Sequence, residues 1–235
     1  MTKTLATLLA IATLASAPAL ARDPSFVSPS QIHSFQILPS PPAADSAQTK
    51  AELEELHRIE AARTDAEAAQ AVWDDKNENV FLYKTVFGDM FTPEKLPLTA
   101  AFAKRVKNDE GINTDDAKTG FHRVRPYNLD KSLHAICETK TKDDSYPSGH
   151  TTSGYLLGLA LIDLVPEKRD EILARAENYG YDRLVCGVHY RSDLAASRAL
   201  AYAIHAVMTQ SPQYQAEMAP ARAELRAALG LPEAK

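Results

Sequence analysis

The chain has 235 residues, which favours one large domain or at most two small ones. Its formal net charge of −5 argues against a nucleic-acid-binding protein, because such proteins usually carry a basic stripe. With only 9 glycines and no alternating runs of β-branched residues, the sequence also argues against an all-β fold.

The N-terminus has the pattern of an export signal, and we interpret residues 1–21 as a signal peptide. Lys3 supplies a positive charge, residues 5–15 are apolar, and residues 19–21 (A-L-A) resemble a cleavage site. A membrane anchor is the alternative, but crossing a bilayer takes about 20 apolar residues. Since no later segment reaches that length, we expect a periplasmic or secreted protein with no stable membrane insertion.

The rest of the chain divides into an arm and a helical domain. Residues 22–50 lack helical periodicity, and three prolines between positions 37 and 48 predict an extended, Pro-rich arm. From residue 51 onward apolar residues recur three and four apart, which predicts an all-α, single-domain helical bundle over 51–235. The predicted helices cover about 46–73, 79–90, 92–107, 113–125, 148–165, 167–185, 188–209 and 211–230.

Two segments carry groups suited to holding an anion. Lys118 and Arg125 are seven residues apart, so a helix through this segment would present both on one face. In P-S-G-H (147–150), Ser148 as an N-cap leaves the N–H groups of Gly149 and His150 at the positive end of a helix. Taken singly, the first segment is explained better by a solvated basic face than by an anion site. The second is explained equally well by an ordinary helix cap.

A third segment, Y-D-R-L-V-C-G-V-H-Y-R-S-D (181–193), pairs a histidine with a carboxylate. His189 and Asp193 are four apart, so on a helix Asp193 can hold the imidazole in one tautomer. A helix break at Gly187 would bring Arg183 towards His189. Although a surface ion pair explains this segment alone, the three segments together offer three cations, an anion-binding helix start and two histidines. That set of groups fits phosphoryl transfer without a metal.

The two cysteines form an even pair. In an oxidising compartment, Cys137 and Cys186 predict a disulfide, with two buried free thiols as the alternative.

The three segments match, in order and spacing, the motifs K-x6-R-P, P-S-G-H and S-R-x5-H-x3-D. The sequence therefore resembles the type 2 phosphatidic acid phosphatase and vanadium haloperoxidase superfamily. S-Y-P-S-G-H-T, C-G-x-H-x-x-S-D and the I-L-P-x-P-P arm are similar to bacterial class A non-specific acid phosphatases in particular. One position departs from the family, because Asp182 stands where the family has serine. Its carboxylate could orient Arg183 or repel phosphate.

The resemblance implies a broad-specificity acid phosphatase that acts on small-molecule phosphate monoesters, with no cofactor and no metal. It implies that His189 is the nucleophile and forms a phosphohistidine, that Asp193 orients it, and that His150 is the general acid and base. The phosphate-binding residues that it implies are Lys118, Arg125, Ser148, Gly149 and Arg183.

Because His150 must be protonated while His189 is neutral, we expect a bell-shaped pH profile with a mildly acidic optimum. A vanadate-dependent haloperoxidase and a non-catalytic phosphate-binding helical protein are the alternative functions. A homo-oligomer is possible, and the sequence leaves the oligomeric state open.

Overall fold

The computed structural model describes residues 23–137 and 141–233. Within these ranges the chain is helical and has no β-strand, which confirms the predicted all-α class. The signal peptide predicted at 1–21 lies outside the described residues. The α-helices are α1 (Pro29–Ile32), α2 (Ser34–Ile37), α3 (Ala47–Ala62), α4 (Asp65–Lys76), α5 (Lys84–Phe87), α6 (Pro97–Phe121), α7 (Pro126–Leu129), α8 (Gly149–Leu164), α9 (Arg169–Val185), α10 (Arg191–Met208) and α11 (Pro212–Ala228), with 3-10 turns at Val80–Tyr83 and Pro166–Lys168. In the described ranges, no helix combines the length and the apolar character needed to cross a membrane.

Helix α8 forms the centre of the bundle. It packs against α6, α9, α10 and α11, and Leu156 and Leu161 on it are at most 1% exposed. Burying one such side chain stabilises a fold by about 1.5–3 kcal/mol, which explains why this helix is almost free of charge. Its first residues contact α6, α9 and α10 at once. The P-S-G-H segment is therefore held where three helices converge.

Two of the predicted helices are one helix, α6. The boundary predicted at Asn113 is wrong, because Asn113 is buried and its amide donates to the carbonyls of Val27 and Asp109. Asp109 is also buried, and it accepts backbone hydrogen bonds from residues 25–27. These polar side chains face the N-terminal arm rather than water, so the apolar periodicity that marks a helix is lost there.

The helix predicted over about 46–73 is divided in two. Helix α3 ends at Ala62 and α4 begins after Thr64, whose side chain and that of Glu67 form a reciprocal capping box. The helix predicted at about 79–90 is also wrong in length, since it contains only a 3-10 turn and the four-residue α5. Between α3 and α4, local capping outweighs the apolar pattern.

The N-terminal arm is only partly extended. It contains the one-turn helices α1 and α2, and α3 already begins at Ala47. Phe26, Ile32 and Leu38 are at most 9% exposed and bind the arm to the bundle.

A disulfide links Cys137, which precedes the P-S-G-H loop, to Cys186 at the end of α9, with a Cα–Cα distance of 5.2 Å. Beside it, the N–H of Ile136 donates to the carbonyl of Cys186 at 3.0 Å. The disulfide therefore joins the loop before P-S-G-H to the segment that contains His189.

Candidate active site

His189 lies in the short connection between α9 and α10, not on a helix as predicted. Gly187, with φ of +73°, turns the chain there, and α10 begins only at Arg191. The Nδ1 atom of His189 lies 2.8 Å from the carbonyl oxygen of Ser145 and 3.3 Å from Oδ2 of Asp193. Because both oxygens only accept, Nδ1 carries the proton and Nε2 keeps its lone pair.

Asp193 is fully buried and is held by three donors besides His189. It accepts from Nη1 of Arg123 at 2.5 Å, from the Ser145 hydroxyl at 2.7 Å and from the N–H of Tyr190 at 2.8 Å. Burial raises the pKa of the Asp193 carboxyl, while the Arg123 guanidinium counteracts this rise. Sequence analysis missed Arg123, although it lies within K-T-G-F-H-R-V-R-P.

Lys118 and Arg125 approach each other, but not along one helix. Helix α6 ends at Phe121, and Arg125 precedes α7 in extended backbone, so the predicted common helical face is wrong. Asp144 brings the two cations together, because its carbonyl accepts from Nζ of Lys118 at 2.9 Å and its carboxylate from Nε of Arg125 at 2.8 Å. Nη1 of Arg125 lies 3.2 Å from Nε2 of His189. Nothing in the sequence singled out Asp144 within its polar loop.

Arg183 is 1% exposed and only partly paired. Its Nη2 atom donates to Oδ1 of Asp75 at 2.7 Å. Its Nε and Nη1 atoms have no hydrogen-bond partner in the part of the chain that the structure describes. Since buried donors are rarely left unsatisfied, the N–H groups of these two nitrogens are suited to an anion.

The start of α8 supplies further donors. Ser148 is confirmed as the N-cap, and its hydroxyl accepts from the N–H and the hydroxyl of Thr151 at 3.3 and 3.0 Å. The first intrahelical bond runs from the N–H of Thr152 to the carbonyl of Ser148. The N–H groups of Gly149 and His150 precede it, at the positive end of the helix dipole. A Cβ on Gly149 would lie 3.2 Å from Oε1 of Glu110, so glycine keeps this end open.

His150 lies between α4 and α9. Its Nε2 atom is 3.1 Å from the carbonyl oxygen of Asp75, and its ring stacks on Tyr179 with the centroids 6.1 Å apart. Burial lowers the pKa of His150, and the charge of Arg183 lowers it further. Burial likewise lowers the pKa of His189 well below its usual value, helped by the positive charges of Arg125, Lys118 and Arg183. The imidazole of His189 is therefore neutral, which is its nucleophilic form.

The structure thus brings residues of the three predicted segments close together, since the charges of Arg125, Lys118, Arg183 and His150 all act on His189. Within the described ranges, no group of three or more His, Cys, Asp or Glu side chains could hold a metal ion.

Known proteins share this sequence pattern and fold. The sequence profile of the PAP2 superfamily matches residues 100–217. A non-specific acid phosphatase of Salmonella typhimurium is 31% identical over 210 residues, which span 85% of this chain and 83% of that protein. This chain therefore belongs to the PAP2 superfamily and, within it, to the class A acid phosphatases, as the resemblance predicted.

Two other likenesses are partial. A non-specific acid phosphatase of Providencia stuartii is 32% identical over 148 residues, 60% of this chain and 59% of that protein. The crystal structure of a bacterial vanadium-dependent iodoperoxidase superposes with a TM-score of 0.60 at 16% identity, over 83% of this chain and 59% of the other. At that identity the likeness concerns the fold alone.

Proposed function

We propose that this protein is an acid phosphatase, a phosphoric monoester hydrolase of broad specificity that works through a phosphohistidine intermediate without a metal. One observation carries the proposal: Nδ1 of His189 is held by Ser145 and Asp193, while Nε2 lies against Arg125 at 3.2 Å. This arrangement directs the lone pair of a neutral imidazole towards the cations that would hold a phosphate.

In the proposed complex, the phosphate oxygens bind to two kinds of donors. The side chains of Lys118, Arg125 and Arg183 supply positive charge, and the start of α8 supplies the Ser148 hydroxyl and the Gly149 N–H. These groups are fixed before substrate arrives, so they stabilise the charge on the transferring group at little cost in reorganisation. Three cations thereby take the part that a metal ion plays in other phosphatases.

The reaction then takes two steps. Nε2 of His189 attacks phosphorus, the ester P–O bond breaks, and His150 gives a proton to the departing alkoxide. In the second step His150 takes a proton from water, the resulting hydroxide attacks phosphorus, and the P–N bond breaks to release phosphate and free His189. Asp193 stabilises the positive imidazole ring during both steps.

His150 must carry an extra proton in the first step, although burial lowers its pKa in the free protein. A bound phosphate brings negative charge next to the ring, and an opposite charge within about 4–6 Å favours the protonated form. We therefore expect a bell-shaped activity profile with a mildly acidic optimum, set in the complex by His150 and His189.

The test is hydrolysis of p-nitrophenyl phosphate at pH 5–6 in the presence of EDTA. The native protein should be active, and His189→Ala should lose about 10³-fold or more in kcat. Quenching a reaction with ³²P-labelled substrate in alkaline detergent, followed by denaturing gels at alkaline pH, should show protein-bound label that is stable in alkali and lost on acid treatment, and only when His189 is present. Activity that survives His189→Ala, or that EDTA abolishes, would overturn the mechanism.

Export to the bacterial periplasm is also part of the proposal. The signal-like pattern of residues 1–21 and the Cys137–Cys186 disulfide both suit an oxidising compartment. N-terminal sequencing of the protein from a periplasmic fraction should begin at Arg22, and a sequence that begins at Met1 or Thr2 would contradict export.

A further inference from the structure

One face of α9 lies towards the active site, and Tyr179 is at its centre. Arg175, Tyr179 and Arg183 follow one another four residues apart, so they share this face of the helix. The two arginines bind neighbouring carboxylates at the end of α4. Tyr179 lies beside the imidazole of His150 on α8, with the ring centroids 6.1 Å and the ring planes 27° apart. The tyrosine therefore lies between two ion pairs and against the general acid of the proposed reaction.

The first two turns of α8 leave room for this ring. His150 and Gly154 are four residues apart, so they lie on the same face of α8. A Cβ on Gly154 would lie 2.5 Å from Cδ1 of Tyr179, so any other residue at position 154 would displace the ring. The ring thus covers the backbone at Gly154 and reaches the side chain one turn before it.

Packing, rather than a hydrogen bond to the protein, holds Tyr179 in place. The side chain is fully buried, and its hydroxyl has no hydrogen-bond partner among the groups that the structure describes. The guanidinium of Arg175 lies 5.7 Å from the centre of the ring, within the range of a cation–π contact. The contacts of this residue are therefore those of an aromatic ring, and phenylalanine can make all of them.

The imidazole of His150 has a second contact, with α4. Its Nε2 atom lies 3.1 Å from the carbonyl oxygen of Asp75. Because a carbonyl oxygen only accepts, this contact places a proton on Nε2. In the proposed reaction Nδ1 is then the atom that exchanges a proton with the leaving alcohol and with water.

We infer that Tyr179 is a positioning residue for His150, whose imidazole its ring holds against the Asp75 carbonyl, so that Nδ1 stays available to the departing alcohol. The inference rests on the proposed function, in which His150 is the general acid. A residue that acts only through the general acid affects substrates unequally. An alkoxide is a strong base and needs a proton in order to leave, whereas p-nitrophenolate is a weak base and departs largely without one.

The experiment compares kcat/KM for glycerol 2-phosphate and for p-nitrophenyl phosphate, because this constant reports the step in which the alcohol leaves. Tyr179→Leu should lose about tenfold or more with glycerol 2-phosphate, but at most about threefold with p-nitrophenyl phosphate. Tyr179→Phe keeps the ring and should stay within about twofold of the native protein with both substrates. Tyr214→Leu, which removes an equally buried tyrosine on α11, is the matched control and should change both constants by the same factor.

The pattern across the two substrates separates positioning from a merely structural role. An equal loss with both substrates in Tyr179→Leu overturns the inference, as does a tenfold loss in Tyr179→Phe. Should Tyr179→Leu fail to fold, Gly154→Ala decides, because its Cβ displaces the ring and should produce the same selective loss with glycerol 2-phosphate. An equal loss with both substrates in Gly154→Ala likewise overturns the inference.

A measurement without turnover separates this inference from the proposed function. At pH 7.5 the ring of His150 is neutral, because burial lowers its pKa. ¹⁵N NMR of histidine-labelled protein, with the His150 signals identified by their loss in His150→Asn, should show one tautomer, protonated at Nε2, in the native protein and in Tyr179→Phe. Tyr179→Leu should show a mixture of tautomers, and a single unchanged tautomer there overturns the inference. If the tautomers behave as expected but neither substrate is hydrolysed, the proposed function fails while the contact of Tyr179 with His150 stands.

Discussion

The position and the charge of the Asp193 carboxylate depend on Arg123. Its guanidinium bridges Asp193 at 2.5 Å and Glu52 on α3 at 3.0 Å, and it lies 3.9 Å above the ring of Tyr190. Removing one member of a buried ion pair typically costs about 3–5 kcal/mol, because the other charge is left uncompensated. Lysine keeps the positive charge but lacks the planar guanidinium with its several N–H donors, so it cannot bind both carboxylates at once.

We therefore predict that Arg123→Lys lowers kcat for p-nitrophenyl phosphate by about tenfold or more, with little change in KM. The reason is that a displaced Asp193 no longer holds Nδ1 of His189, while the phosphate-binding cations are untouched. Steady-state kinetics at the pH optimum measure both constants. Arg191→Lys is the control, since Arg191 binds Glu55 on the same helix as Glu52 but its side chain is 43% exposed. An unchanged kcat in Arg123→Lys would show that Asp193 keeps its place without Arg123.

At the scale of the element, the start of α8 combines a structural and a binding role in Ser148. Its hydroxyl caps the helix, and loss of such a cap costs about 1 kcal/mol. The same hydroxyl is one of the proposed phosphate donors. Ser211 caps α11 in the same way, accepting from the N–H of Tyr214, in a helix to which the site residues do not belong.

We predict that Ser148→Ala and Ser211→Ala destabilise the protein by a similar amount, about 1 kcal/mol each in urea denaturation. Only Ser148→Ala should also raise KM for p-nitrophenyl phosphate, by about threefold to tenfold for one lost hydrogen bond to a charged group. Equal KM values in the two variants would mean that the Ser148 hydroxyl is a cap and nothing more.

The elements also show what sequence patterns can and cannot predict here. Helix α8 was predictable because it has a strong cap and an apolar sequence, and the site residues came from motifs with fixed spacing. Helix α6 was not, because buried Asp109 and Asn113 point at the arm, and a buried polar residue looks like a surface residue in a sequence. Contacts that join distant segments were equally hidden, such as the hydrogen bond of Ser145 to Asp193, which are 48 positions apart.

At the scale of the whole molecule, the buried site makes folding depend on pH. Glu110 on α6 is 5% exposed and lies beside Gly149. Burial, together with the neighbouring charge of Glu78, raises the pKa of Glu110 to about 8, although Lys107 and Lys118 oppose the rise. In the unfolded chain the pKa of a glutamate is about 4.3. Between these two values the folded protein binds one proton more than the unfolded chain at this residue.

This difference sets the direction in which the free energy of unfolding changes with pH. Where the folded state binds more protons, the free energy of unfolding falls as pH rises, by about 1.4 kcal/mol per pH unit for one group. The pKa values of His150 and His189 are lowered, so they act in the opposite sense, and only below their unfolded pKa of about 6.5. The lowered pKa of Lys118 also opposes Glu110 at higher pH. A comparison with a variant that removes only the Glu110 proton isolates its contribution.

We predict that Glu110→Gln gains stability relative to the native protein as pH rises from 5 to 8, by about 2–4 kcal/mol in total. Thermal unfolding followed by circular dichroism should show this as a difference in Tm that widens by roughly 5–15 °C across that range. Glu54→Gln, on the exposed face of α3, should instead give a Tm difference that stays constant with pH. Parallel Tm curves for the native protein and Glu110→Gln would show that Glu110 is already ionised at pH 5, and that its burial beside the α8 N-terminus is offset by Lys107 and Lys118.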